Sequence, residues 1–590
     1  MSHPPPSTTG TDVALTVVLG AAGLGVLLWV GAAASAWVSG HPVPPVQLTD
    51  GFVALGHTAD PSLAWHTPVG PPVLYWVLSA VVVVAAALTA LGLWRLFHAT
   101  GRKDGSLDPL RVDGLATRTE VRATAGTKAL VARARTLRPS LACPRAGDVG
   151  YRLGVSRGVT CWASVEDSML VLGPPRSGKG MSLVIPMILD APGALITTST
   201  RPDNLAVTLA ARSTHSPAMV FDPERLAPSP DVPVLAWSLV RGCEDPQTAM
   251  IRAEALVADA GRTGVENANF WRTQALSVTR AMLHAAALDG RSAVDLYRWS
   301  HSAGMAKEAT SILAAHPGSI PGWGRALDAI IATDPRTRDS VWAMVANTFA
   351  PLADPAVLAA VSPKTGAEFD PLAFLAMRGS VYLLGTATGA SATATLVAAL
   401  IEDLIDAARR LAARSANQRL DPPLALVLDE AANYPLPSLP ALMAEGGGSG
   451  ITTLAVLQSL AQARDRWGRE AAGAIWDSAI VKIVLGGSAN ADDLADISRL
   501  IGERPVTERS ETVGAASAGR STSTTTRYRP ILDPSELRRL PVGTGLALLR
   551  AAPPIAMTLR PWTARPDARD LARARTAFER ATWERVSADA

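Results

Sequence analysis

Three short segments, far apart in the chain, carry residue types that could work together on a phosphate anhydride. The first is Gly173-Pro174-Pro175-Arg176-Ser177-Gly178-Lys179-Gly180-Met181, which follows the apolar run 168–172. Gly173, Gly178 and Lys179 have the spacing of a phosphate-binding loop. The glycines let backbone N–H groups face the phosphates, the lysine reaches the β- and γ-phosphates, and the start of the following helix favours an anion. One position departs from the pattern. The residue after the lysine is usually Ser or Thr, whose hydroxyl helps to hold magnesium; here it is Gly180, and Ser177 and Ser182 are the nearby hydroxyls.

The second segment is the apolar run 424–428, which ends in Asp429 and Glu430. A buried strand that delivers an aspartate to its C-terminal tip can hold Mg2+ beside the phosphates, and an adjacent glutamate can polarise the attacking water. The third is the apolar run 450–457, which ends at Gln458, an amide able to sense the γ-phosphate or to position water. Each segment alone has a plainer reading: a chance glycine match, an acidic turn after a strand, a polar strand cap. Together they point to an ATPase that uses ATP and Mg2+, with Lys179, Glu430 and Gln458 as catalytic candidates and Asp429 as the metal ligand.

Such a site needs parallel strands to present it. Further apolar runs at 194–198, 218–222, 381–385 and 479–485 alternate with helical stretches, which indicates α/β organisation: a mostly parallel sheet with helices on both faces. Runs at 545–549 and 555–559 suggest closing strands. Between about 241 and 379 the pattern changes to helices broken by Pro and Gly, an all-α insertion that either covers the sheet or forms a substrate platform. Residues 98–165 are mixed and Arg-rich and are expected to be a connector. Residues 508–526 are rich in Ser, Thr, Gly and Ala and are expected to form a flexible loop, and 560–580 a solvated helix.

The N-terminal part has a different character. Residues 13–38 carry no charge, and 73–94 are uncharged and mostly apolar up to Arg95; each is long enough to cross a bilayer. A cleaved signal peptide is a poorer reading, because residues 1–12 lack Lys and Arg and the apolar run is long. The intervening 39–72 contain Asp50 and Asp60 but no Lys or Arg, whereas Arg95, Arg102, Lys103, Arg111, Arg118 and Arg122 follow the second run. The positive-inside rule puts the loop outside and the rest in the cytoplasm. The expected organisation is a cytosolic N-terminus over 1–12, a two-helix transmembrane hairpin over 13–97 with extracytoplasmic loop 39–72, and the connector. An ATPase domain split into 166–240 and 380–562 by the insertion follows, then a tail over 563–590. The chain is thus expected to be a multi-pass cell-membrane protein with a cytoplasmic body.

Composition agrees. Of 590 residues, 48% are hydrophobic and 18% charged, which excludes general disorder. A net charge of +3 excludes a wholly basic coat for nucleic acid, so any basic surface is local. Three cysteines without a CxxC pair argue against a disulfide framework or a structural zinc site.

With these residues in place, the chain resembles the type IV coupling proteins of conjugation and type IV secretion, the TraG/TraD-like family with a TraM-recognition segment. The resemblance rests on the hairpin, the GPxxSGKG loop, WSLV at 237–240, Phe270-Trp271, LDEAANYPLP at 428–437, GGGSGI at 446–451, LQSLAQARDRWG at 457–468 and SRLIGER at 498–504. Gly after the loop lysine is frequent in that family. The stretch 198–203 departs from the Asp-x-Lys-Gly-Glu of many members, which leaves Asp203 without a role. The resemblance implies a membrane-anchored homo-hexameric ATPase with a RecA-like P-loop core from a high-GC Gram-positive bacterium. It implies recruitment of DNA through a relaxase complex, or of protein substrates, to type IV secretion channel components, with substrates recognised on the all-α insertion; the excess of Arg over Lys with abundant Ala reads as a GC-rich genome. An FtsK-like DNA translocase and a non-hydrolysing membrane receptor are the alternatives.

Overall fold

A computed structural model of the chain describes residues 9–100, 111–227, 232–258, 268–364, 366–386, 393–513 and 520–589. It separates into two units, 1–107 and 108–590.

In the first unit, helices Thr9–Val38 and Pro72–Thr100 pack against each other. They approach closely at Gly31, where a Cβ would collide with Ser79. The segment Pro72–Leu93 is long and apolar enough to cross a membrane. Among the described side chains of the first helix, Ala22–Val38 is likewise apolar. The linking residues fold back as two short helices, Asp50–Gly56 and Ser62–Trp65. Ala54, Trp65 and Val69 bury against Leu28, Ala32 and Tyr75, and the indoles of Trp29 and Trp76 donate to the carbonyls of Pro44 (3.1 Å) and Thr58 (3.0 Å).

Among the described residues, the second unit is built on thirteen strands. They are β1 (Gly150–Ser156), β2 (Val159–Ser164), β3 (Met169–Leu172), β4 (Leu195–Ser199), β5 (Ala218–Phe221), β6 (Ser380–Leu384) and β7 (Leu424–Leu428). Then follow β8 (Ile451–Leu457), β9 (Val481–Leu485), β10 (Glu503–Val513), β11 (Arg520–Pro530), β12 (Thr544–Leu549) and β13 (Ile555–Leu559). Eleven form one sheet in the order β2-β1-β13-β12-β9-β3-β8-β7-β4-β6-β5. From β9 to β5 every neighbour is parallel; from β9 to β2 every pair is antiparallel. The fold is therefore mixed α/β with a parallel-rich sheet, and the apolar runs read from sequence are its strands.

Both faces are covered, as continuous apolar strands require. Along β3, Leu170 and Leu172 belong to the core on one face, and Met169 and Val171 to the core on the other.

Two sequence expectations need correction. Residues 98–165 contain β1 and β2, which extend the sheet, preceded by short helices; a Thr117–Glu120 capping box starts one of them at Arg118. The half-buried strands alternate too briefly to stand out. Residues 508–526, expected as a flexible loop, fall largely in β10 and β11, a two-stranded antiparallel ribbon running from the Glu503↔Pro530 pair to Val513↔Arg520. Threonine-rich segments favour extended backbone, and here that preference outweighs the loop-like composition.

Between β5 and β6 the described residues contain helices and no strand. Four begin with the same dipeptide: Asp245-Pro246, Asp334-Pro335, Asp354-Pro355 and Asp370-Pro371. In each, the carboxylate accepts from a first-turn N–H, and the proline occupies the position that needs no donor. Arg252 ties this region to the sheet's cover. Its guanidinium donates to the carbonyls of Leu239 and Arg241 (both 2.9 Å), pairs with Asp403 at 2.8 Å and lies over the Trp237 ring. Phe270 is exposed rather than core, with Trp271 half-buried beside it.

The final helix, Ala568–Asp589, packs on helix Asp203–Ser213. Leu571 and Trp562 share a small core with Ile185 and Val207, and Arg565 pairs with Asp190 at 2.7 Å.

Candidate active site

The three segments meet at the C-terminal ends of three adjacent parallel strands, β3, β8 and β7. Parallel register puts their following loops at one edge, the usual ligand position in open α/β sheets. Gly173 N donates to Leu457 O at 2.9 Å and fixes the loop's start to β8. The loop then turns through Arg176 and Gly178, both at positive φ (64° and 86°). Lys179 leads into a π-helical turn, Gly180–Val184, and then helix Ile185–Asp190. Pro175, Arg176 and Met181 are exposed, while Gly173 and Ser177 are buried, so only the backbone of the exposed residues can serve the site's floor.

Lys179 Nζ lies 3.9 Å from Glu430 Oε1, and Gln458 Nε2 lies 3.5 Å from the same oxygen. Glu430 Oε2 accepts from Thr200 Oγ1 (2.9 Å) and Asn433 Nδ2 (3.0 Å). Its backbone is left-handed (φ 53°, ψ 49°), an uncommon conformation for a non-glycine residue that turns the chain sharply just after β7. Asp429 is held differently: Asn204 Nδ2 donates to its Oδ2 (3.2 Å), and Thr198 Oγ1 donates to its backbone carbonyl (3.0 Å). Burial pushes the Asp429 carboxyl above the usual carboxylate range, although the nearby Lys179 cation pulls it down.

Three buried polar atoms here have no hydrogen-bond partner: Lys179 Nζ, Ser177 Oγ and Asp429 Oδ1. Buried polar groups are ordinarily paired. A cation, a hydroxyl and a carboxylate oxygen left open together are the complement of a phosphate chain with a bound divalent ion, so the residues present fit ATP and Mg2+.

The structure thus brings together Lys179, Asp429, Glu430 and Gln458, as the sequence spacing led us to expect. Sequence reasoning missed Thr200, Asn204 and Asn433, which hold the two acids. They lie in the segments after β4 and β7; Asn433 belongs to the LDEAANYPLP motif and Thr200 to the 198–203 stretch, but the sequence alone gives neither a role. Asp203 pairs with Arg201, its neighbour two residues before, and both are exposed. In the segments after Gln458, Arg464 is bound at 2.9 Å to buried Asp493, which also accepts from Leu460 N; Arg499 pairs with Asp496, and Arg504 lies 3.9 Å from Asp113.

Residues 423–542 match the family described as the TraM recognition site of TraD and TraG. This segment is of the TraG/TraD type. It contains β7, β8 and β9, and with them Asp429, Glu430 and Gln458, so the TraG/TraD-type segment supplies one side of the site and the 173–181 loop the other. No curated protein matches the chain. Among solved structures, the bacterial conjugative coupling protein TrwB in its unbound form aligns with a TM-score of 0.53 at 18% identity, over 74% of this chain and 93% of that one. TrwB in complex with ADP and Mg2+ aligns at 0.51 and 18%, over the same shares. TrwB with the non-hydrolysable GTP analogue GDPNP aligns at 0.51 and 18%, over 67% and 86%. At this identity the likeness establishes the fold.

Proposed function

We propose that the chain is a membrane-anchored ATPase coupling protein that brings DNA, through a relaxase complex, or protein substrates to a type IV secretion or conjugation channel. ATP hydrolysis on a RecA-like core drives their movement. The observation that carries this reading is the convergence of Lys179, Asp429, Glu430 and Gln458 at the ends of adjacent parallel strands, with three polar atoms left open. The TraG/TraD-type segment and the TrwB-like fold support it.

In this reading Lys179 binds the β- and γ-phosphates and the loop's N–H groups cradle them. Asp429 would hold Mg2+, which supplies charge neutralisation for the phosphates when bound. Glu430, held by Thr200 and Asn433, takes the proton of the attacking water, and Gln458 orients that water or reads the γ-phosphate. The helical region 241–379 presents the cargo, and six copies form the working assembly. Among the charged residues of this region, Arg262 and Glu266 lie outside the described residues. Arg291 is engaged by Asp289 at 2.8 Å and Glu308 at 3.1 Å, so exposed Phe270 is the better probe of a platform.

The decisive measurement is ATP turnover of the full-length chain in detergent with and without DNA. DNA-stimulated hydrolysis supports a DNA-coupled motor. Nucleotide binding without turnover under any cargo favours the receptor. Topology is tested with an impermeant thiol reagent on intact cells. A cysteine at Gly56, where a side chain meets nothing, should label, and native exposed Cys143 should not. Labelling of Cys143 in the parent would place the body outside the ATP pool.

A further inference from the structure

Position 180 lacks the hydroxyl that usually follows the loop lysine, and Asn204 stands opposite it. A Cβ built on Gly180 would meet a single neighbour within 4 Å, the Asn204 side-chain oxygen at 4.0 Å. Asn204 is 4% exposed and lies in the first turn of helix Asp203–Ser213, just beyond β4. Its amide orientation follows from chemistry: the Asp429 carboxylate accepts only, so the NH2 faces Asp429 Oδ2 at 3.2 Å and the carbonyl oxygen faces the other way. That other way is the space left by the missing side chain at 180. The second Asp429 oxygen, Oδ1, is buried and has no partner.

Ser177 is a weaker substitute. Its hydroxyl lies 2.8 Å from where a Gly173 Cβ would stand, at the root of the loop rather than at the start of the helix. Ser182 is buried a half-turn beyond Gly180.

We propose that Asn204 replaces the hydroxyl missing at position 180. Its amide nitrogen orients Asp429, and its carbonyl oxygen takes the vacant place in the magnesium shell. Oxygen donors of this kind suit Mg2+. The residue is supplied by the helix that follows β4, so the loop and the β4 edge must both be in place before the cation is held. This inference rests on the nucleotide-binding reading of the site.

The test is the binding of a fluorescent ATP analogue to the full-length protein, with Mg2+ and with EDTA. In the parent, Mg2+ should tighten binding. In Asn204→Ala the tightening should shrink by about tenfold, the usual loss for a group that orients or completes a metal shell, while binding in EDTA stays the same. Gly180→Ser added to Asn204→Ala should restore the magnesium effect, because position 180 has room for a side chain. Isosteric Asn204→Asp guards against a folding artefact. It sets a second carboxylate beside Asp429, and Mn2+ should bind the nucleotide-free variant at least about tenfold more tightly, read by electron paramagnetic resonance. Asn204→Ala with the full magnesium effect, or Asn204→Asp with parental Mn2+ affinity, would overturn the assignment. A parent that binds no nucleotide would instead overturn the function on which it rests.

Discussion

The two halves of the large sheet share a core and differ in what they offer to chemistry. From β9 to β5 the strands are parallel, and three of their loops bring Lys179, Asp429, Glu430 and Gln458 to one edge. From β12 to β2 they are antiparallel, and none of the four comes from that half. A parallel strand needs a crossover before the next begins, so every C-terminal end faces the same way. Antiparallel strands alternate, and their loops are shared between opposite edges. The antiparallel half contributes burial and rigidity: Leu546 and Met557 are fully buried, and Ser156 Oγ donates to Ala556 O at 2.7 Å. Chemistry and mechanical support are separated along a single sheet.

This separation can be broken by experiment. The largest effect should come from Glu430→Gln, which removes a base and keeps the shape: turnover should fall by about 10²–10⁴-fold while ATP stays bound. Turnover at the parental rate would move the base elsewhere. Lys179→Ala should lower turnover by at least about 10²–10³-fold with the fold intact, and unchanged turnover would sink the motor reading. Leu546→Ala, in the antiparallel half, should cost roughly 2–5 kcal/mol of stability by denaturant unfolding, with kcat unaltered in the folded protein. A proportionate loss of kcat would show that the halves are not separable.

The fourth effect is a pH dependence. The folded-state pKa of Asp429 is raised by burial, so its contribution to stability is present below the ordinary carboxyl pKa and is lost as pH rises through the folded value. Asp429→Asn removes this loss. Its Tm relative to the parent, measured in EDTA from about pH 4 to about pH 8, should rise with pH; a flat difference would refute the assignment. The smallest effect is Ser156→Ala, expected to cost about 1 kcal/mol with no change in turnover.

How much of this was legible in advance follows the same division. The parallel strands were readable because they are continuous apolar runs, and the loop, the acids and Gln458 because each sits at the end of such a run. β1 and β2 were not, since partly buried polar positions such as Arg152 and Thr160 interrupt their apolar character. The ribbon's threonines carried a strand signal, but without alternating apolar residues in the sequence they read as a loop. Asn204 had no local signature at all. Its role exists only where β4 and β7 are neighbours, and that adjacency is a property of the sheet rather than of either segment.

The loop strand β3 pairs on one side with β8 and on the other with β9, as in Met169↔Leu454 and Met169↔Val481. Both partners leave the ribosome long after β3 does. At about 5–20 residues per second the wait is on the order of tens of seconds. Throughout that interval the nascent chain holds Lys179 in a segment whose apolar strand has no neighbours. Until β8 and β9 are made, β3 presents unpaired edges of the kind that template pairing with another chain.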